Sequence, residues 1–141
     1  MTTYTGNCFC GAVEFDVTGE QIAAGYCHCR DCAHWGASPV SAYAIFPAGS
    51  VAVTKGADNI ATYNKTPHVN RKYCTACGGH VFNELPEAGL EEVFPDTAPD
   101  LPFEPQIHIH YGSKTLAVRD GLPKFRDMPA ELGGSGETVP E

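Results

Sequence analysis

Apolar and polar residues alternate along much of this chain, and apolar residues nowhere recur at a sustained helical spacing. Val13, Phe15 and Val17 share one face of an extended segment while Glu14 and Asp16 take the other, the pattern of a half-buried strand. The same logic predicts strands over residues 40–46, 51–54, 60–64, 69–73, 81–84, 106–111 and 115–118, separated by turn signals. A helical turn over residues 30–35 is the only helix expected. Short strands at close spacing point to an all-β domain.

Two stretches break the pattern. Residues 84–104 contain seven acidic residues, no basic ones, and Pro86, Pro95, Pro99 and Pro102, which predicts a long loop. Residues 127–141 are Gly-rich, acidic and poor in large apolar residues, the composition of a disordered tail. The expected organisation is therefore one domain over residues 1–126 and a tail over 127–141, within the size range of a single hydrophobic core.

The 9 basic and 17 acidic residues give a formal net charge of -8, which argues against a nucleic-acid partner because a phosphate backbone would be repelled. No stretch approaches the roughly 18 apolar residues of a membrane span, so no membrane partner is expected. Met1 is followed by polar Thr2, Thr3, Tyr4 and Thr5 rather than an apolar secretory segment, which predicts a cytoplasmic, reducing compartment. There, closely spaced cysteines bind metal more often than they form disulfides.

All seven cysteines fall in three blocks: Cys8 and Cys10, then Cys27, Cys29 and Cys32, then Cys74 and Cys77. A closed structural zinc site takes four protein ligands, and a catalytic one takes three and keeps a position open. If blocks stay intact, only the two outer pairs make four, and the middle block stands alone as three. Cys10-Gly11 and Cys77-Gly78 both end their blocks with the residue best suited to a tight knuckle, whereas Cys32 is followed by Ala33. The expectation is two Zn²⁺ per chain: a structural zinc on Cys8, Cys10, Cys74 and Cys77, and an open, catalytic zinc on Cys27, Cys29 and Cys32. The alternatives are a second closed site completed by His28, His34 or His80, with His34 best placed, and a redox dithiol of Cys29 and Cys32.

Other residues are weaker signals. Arg30, inside the middle block, either holds an incoming anion or pairs with Asp31 in solvent. Tyr26 and Trp35 read as packing. His68, Arg71 and Lys72 form a basic patch ahead of Cys74, and His108 and His110 fall on one face of a strand.

GNCFCGAVEF (residues 6–15), CHCRDC followed by WGAS (residues 27–38) and RKYCTACGGHVF (residues 71–82) resemble the glutathione-dependent formaldehyde-activating enzyme family, also called centromere-protein-V-like. HIHYGSK and DGLPKF are weaker matches nearer the end. The resemblance implies an Mss4-like zinc-stabilised β fold, with the closed site on Cys8, Cys10, Cys74 and Cys77 and the open one on Cys27, Cys29 and Cys32. It also implies a carbon–sulfur lyase activity of the S-hydroxymethylglutathione synthase type, in which a small thiol, glutathione, meets formaldehyde or another small aldehyde. His28 or His34 is the candidate proton donor. The alternative is a non-catalytic module or glutathione carrier with structural zincs, in which the acidic segment 84–104 contacts a basic partner. A homodimer is compatible with the chain.

Overall fold

The computed structural model describes residues 2–141; Met1, the first residue of the expected domain, lies outside the described residues. In chain order the elements are β1 (Tyr4–Asn7), β2 (Glu14–Val17), β3 (Ala23–Cys27), α1 (Arg30–Gly36), β4 (Ser41–Pro47), β5 (Val51–Lys55), β6 (Ile60–Tyr63), β7 (Asn70–Cys74), β8 (His80–Leu85), β9 (Leu90–Val93) and β10 (Ile107–Ile109), joined by short 3₁₀ turns. The all-β expectation holds, and the one α-helix among the described residues is where the sequence placed it. Among the described residues no helix is long and apolar enough to cross a membrane.

The chain divides into two compact units, residues 1–23 with 44–103 and residues 24–43 with 104–141. In the first unit, β1, β2 and β5 form an antiparallel sheet in that order. A run of antiparallel pairs joins β4, β9, β8, β7 and β6. Val13, Phe15 and Val17 are fully buried together with Phe46, Val81, Val93 and the thiols of Cys8 and Cys74. The alternation of the 13–17 segment is thus the inward face of this core, and truncating a residue such as Phe15 would cost roughly 3–5 kcal/mol. In the second unit, β10 pairs with β3 in parallel, Ile109 opposite Cys27. Parallel strands need a long connection. Here the whole of residues 44–103 lies between them in sequence.

The structure corrects several expectations. Residues 84–104 are not one loop: they contain β9 and two 3₁₀ turns. The acidic residues that disguised β9 are acceptors: buried Glu91 takes the Val51 N–H at 2.9 Å, and Glu92 takes the Asn83 side-chain amide at 2.7 Å. Residues 115–118 form no strand, because the backbone groups of Val118 are bound by the Tyr111 hydroxyl, at 2.9 Å for its N–H and 3.3 Å for its carbonyl. His110 does not continue the face of His108: β10 ends at Ile109 and His110 takes the left-handed conformation, φ 54°. The basic patch does not stand free in solvent: Lys72 pairs with Glu84 at 3.4 Å, and His68 is hydrogen-bonded to Glu87 at 2.7 Å.

Residues 127–141, whose composition reads as a tail, carry specific hydrogen bonds. The Asp127 carboxylate accepts from the Met128 N–H, the Ser135 N–H and the Ser135 hydroxyl, Arg126 pairs with Glu137, and the Val139 N–H reaches the Lys124 carbonyl at 2.8 Å. Composition registers the apolar area a segment can bury; here the partners are polar.

Candidate metal centres

The first cysteine cluster lies in the first unit. Cys8 follows β1 and Cys74 ends β7, and each opens a knuckle that closes on itself by the same backbone bond, to the residue five positions on: Cys8 N–H to Val13 carbonyl at 3.0 Å, Cys74 N–H to Gly79 carbonyl at 2.9 Å. Gly11 and Gly78 have φ of 80° and 76°, the left-handed backbone that the Cys-Gly endings anticipated. Within each knuckle, N–H groups aim at sulfur: Val13 to Cys8, Ala76 to Cys74 and Gly79 to Cys77, all at 3.3 Å.

The four sulfurs of Cys8, Cys10, Cys74 and Cys77 lie within 4.8 Å of one another. Burial raises the Cys8 thiol but is outweighed by donation from Val13 and by its thiol neighbours, leaving it lowered to about 6. Cys10 moves up, because desolvation and three neighbouring thiols overcome the Ala12 contact that favours its thiolate. Four thiols this close cannot all ionise unless a cation sits among them. Four soft sulfur donors this close together fit zinc.

The second cluster lies in the second unit. Cys27 ends β3, Cys29 caps the N-terminus of α1, and Cys32 lies in its first turn. Their sulfurs also lie within 4.8 Å of one another, and among the described residues no histidine or carboxylate joins them. His28, His34 and His80, the candidate fourth ligands, stand outside the cluster. Cys29 accepts the N–H of Cys32 at 3.2 Å. Hydrogen bonds from Cys27 and Cys32 pull Cys29 far down, while the same contacts and burial push Cys27 up. Cys27 is buried, and Cys29 and Cys32 are half-buried. Three thiols with no fourth donor fit a zinc ion that keeps a position for another ligand.

Beside this cluster runs a chain of polar groups, buried at His28, His108 and Lys124, that sequence reasoning found only in part. His28, between Cys27 and Cys29, is 1% exposed, and its Nε2 lies 2.8 Å from Nδ1 of fully buried His108. Nε2 of His108 lies 2.7 Å from Asp120, which also meets Lys124. Lys124, 2% exposed, pairs further with Glu141 at 2.9 Å. Burial alone would raise the Asp120 carboxyl, but Lys124 and His108 outweigh it and hold it well below the usual range. An ionised Asp120 can only accept, so His108 carries its proton on Nε2. His28 then donates its Nε2–H to His108 Nδ1, and Nδ1 of His28 is left as a lone pair. That atom is buried and without a protein partner. Burial first, then His108 and Lys124, lower His28 to about 4, so it stays neutral near pH 7.

Asp120, Lys124 and Glu141 carried no sign in the sequence of a link to His28. They lie 92 to 113 positions from His28, and only the DGLPKF word hinted at the first two.

A profile described as "Glutathione-dependent formaldehyde-activating enzyme" matches residues 3–113. An uncharacterized lyase of Schizosaccharomyces pombe is 31% identical over 82 residues, 58% of this chain and 58% of that protein. The aligned part therefore spans less than two thirds of that relative. The fold is similar to a crystal structure of a Rhodobacter sphaeroides protein, with a TM-score of 0.57 and 23% identity over 70% of this chain and 90% of that one.

Proposed function

This chain belongs to the glutathione-dependent formaldehyde-activating enzyme family, and on that premise we propose that it is a carbon–sulfur lyase-type enzyme. It joins a small thiol, glutathione, to formaldehyde or a similarly small aldehyde, reversibly, at the cluster of Cys27, Cys29 and Cys32. The observation that carries this reading is the contrast between two cysteine clusters of one chain: four sulfurs together in one, three and no fourth donor among the described residues in the other. Cys8, Cys10, Cys74 and Cys77 would hold a structural zinc, and Cys27, Cys29 and Cys32 a second one. A zinc ion with an open position supplies one thing here, a lowered pKa for a thiol that occupies it.

The chain's own residues set up the rest. The parallel register of β3 and β10 fixes Cys27, and the His28 N–H to Ile109 carbonyl bond, at 3.0 Å, fixes the turn into α1. In the addition, the thiol sulfur bonds to the carbonyl carbon, the C=O π pair moves to oxygen, and oxygen takes up the proton the thiol released. The product is a hemithioacetal, the reverse reaction is the lyase direction, and no oxidant or reductant is required. Of the two histidines first considered as proton donor, neutral His28 offers a lone pair at Nδ1, which leaves His34, exposed on α1, as the donor. A reducing cytoplasm would keep both thiol substrate and cysteines in the required state.

The test is adduct formation from glutathione and formaldehyde followed against the uncatalysed background, with the two-zinc protein and its Cys29→Ser variant. Acceleration by the wild type that Cys29→Ser loses supports the lyase. Thiol binding without acceleration would overturn the lyase in favour of a carrier, and no thiol binding at millimolar concentration would overturn both.

A further inference from the structure

The outer face of α1 borders a groove of about 380 Å³, at the small end of the roughly 300–1,000 Å³ of metabolite sites. Its polar lining is Arg30, His34, Ser38 and Thr115, over an apolar floor that includes Ala33 and Ala37. Residues 30, 33 and 34 recur at the spacing that puts side chains on one face of a helix, and Ala37 is the residue that ends it. Arg30 directly follows Cys29, the N-cap of α1, and Ala33 directly follows Cys32, in its first turn, so the groove lies next to two of the three cysteines of the cluster along the chain.

Arg30 brings a positive charge to this groove in an acidic chain. Lys55, Lys72, Lys124 and Arg126 each pair with a carboxylate. Arg30 pairs with none among the described residues, its neighbour Asp31 included, although acidic residues outnumber basic ones 17 to 9. Its guanidinium is therefore available as a two-pronged donor for a carboxylate. Ser38 is oriented the other way: its hydroxyl donates to the Val40 carbonyl at 2.9 Å, leaving lone pairs to accept an N–H. Thr115 and His34 can supply either role. A carboxylate beside an N–H donor, on a short apolar stem, is the end of an amino acid or peptide.

We propose that this groove is a docking subsite for the carboxylate end of a small peptide thiol, with Arg30 as its specificity-determining residue. The inference rests on the reading of Cys27, Cys29 and Cys32 as the place where the ligand's sulfur arrives. It adds that the site selects thiols by a charge remote from sulfur, so that a neutral thiol of equal acidity is a poorer ligand. The opposed charge of the groove and of the chain as a whole makes this attraction local and salt-sensitive.

The experiment separates the two claims by using a probe with no free thiol. S-methylglutathione and its diethyl ester are titrated calorimetrically into the two-zinc protein, its Arg30→Met variant and its Arg30→Lys variant. Zinc content and thermal unfolding confirm that each variant is folded. The expected result is that S-methylglutathione binds the wild type roughly ten- to a hundredfold more tightly than its diester, the range of a hydrogen-bonded charge pair. Arg30→Met erases that preference and Arg30→Lys keeps part of it. Equal binding of acid and ester, a preference that survives Arg30→Met, or no binding of S-methylglutathione overturns the groove proposal. Loss of catalysed adduct formation with the S-methylglutathione preference intact would overturn the lyase reading and leave the subsite standing.

Discussion

Nε2 of His28 lies 2.8 Å from Nδ1 of His108, so two imidazoles buried beside the three-cysteine cluster share a single proton. The far nitrogen of His108 is bound by Asp120, and that carboxylate decides which way the shared proton points. His28 is predicted to be the Nε2–H tautomer, with a bare Nδ1. In ¹⁵N spectra of the histidine-labelled protein at pH 7, Nε2 of His28 should give a pyrrole-type signal and Nδ1 a pyridine-type one. A protonated Nδ1 would mean that the chain does not run from Asp120.

The same chain has an energetic consequence. Asp120→Asn removes the charged partner of both His108 and Lys124, although Asp120 itself is partly open to solvent and Glu141 still reaches Lys124. A loss of about 1.5–3 kcal/mol, the range for hydrogen bonds to charged groups, is expected in denaturant unfolding. A change below about 0.5 kcal/mol would place the network outside the folding energetics.

Lys124 gives a pH signature that is separate from the cysteines. Burial alone would lower it, but Asp120 and Glu141 outweigh burial and raise it above its ordinary value. A raised folded value means that its stabilisation is complete below its unfolded pKa, about 10.5, and disappears as pH rises through the folded one. The stability difference between wild type and Lys124→Met should therefore be flat from neutral pH to about 10 and shrink above it. A difference that shrinks between pH 6 and 9 would contradict this assignment.

Gly11 and Gly78 hold the two knuckles in left-handed turns, and a Cβ at either would meet nothing within 4 Å. The effect of Gly→Ala is then backbone strain alone, about 1–2 kcal/mol at each position. Thermal unfolding of the two-zinc protein should show the loss while zinc content stays unchanged. An unaffected Gly78→Ala protein would remove the turn argument for that knuckle.

How far the sequence reaches depends on what each residue leaves in the local pattern. Val13, Phe15 and Val17 announce their strand because alternation is a local record of one buried face. β9 does not, because Glu91 and Glu92 look like solvent-facing charges until Val51 and Asn83 are seen to donate to them. Residues 115–118 alternate like a strand, yet a side-chain hydroxyl from Tyr111 takes the backbone groups a neighbouring strand would have taken. The cysteine grouping was legible because knuckle ligands sit two or three positions apart. The Asp120, Lys124 and Glu141 support of His28 was not, since nothing in the local sequence marks a pairing across some 90 to 110 positions.

The division of labour between the clusters is the central claim, and paired variants test it most directly. Zinc per chain and thermal unfolding are measured for wild type, Cys74→Ser and Cys29→Ser. The account predicts two zinc ions for the wild type, loss of the folded state for Cys74→Ser, and one zinc with a retained cooperative transition for Cys29→Ser. Unfolding of Cys29→Ser to the same extent as Cys74→Ser, or a wild type that binds a single zinc, would contradict it.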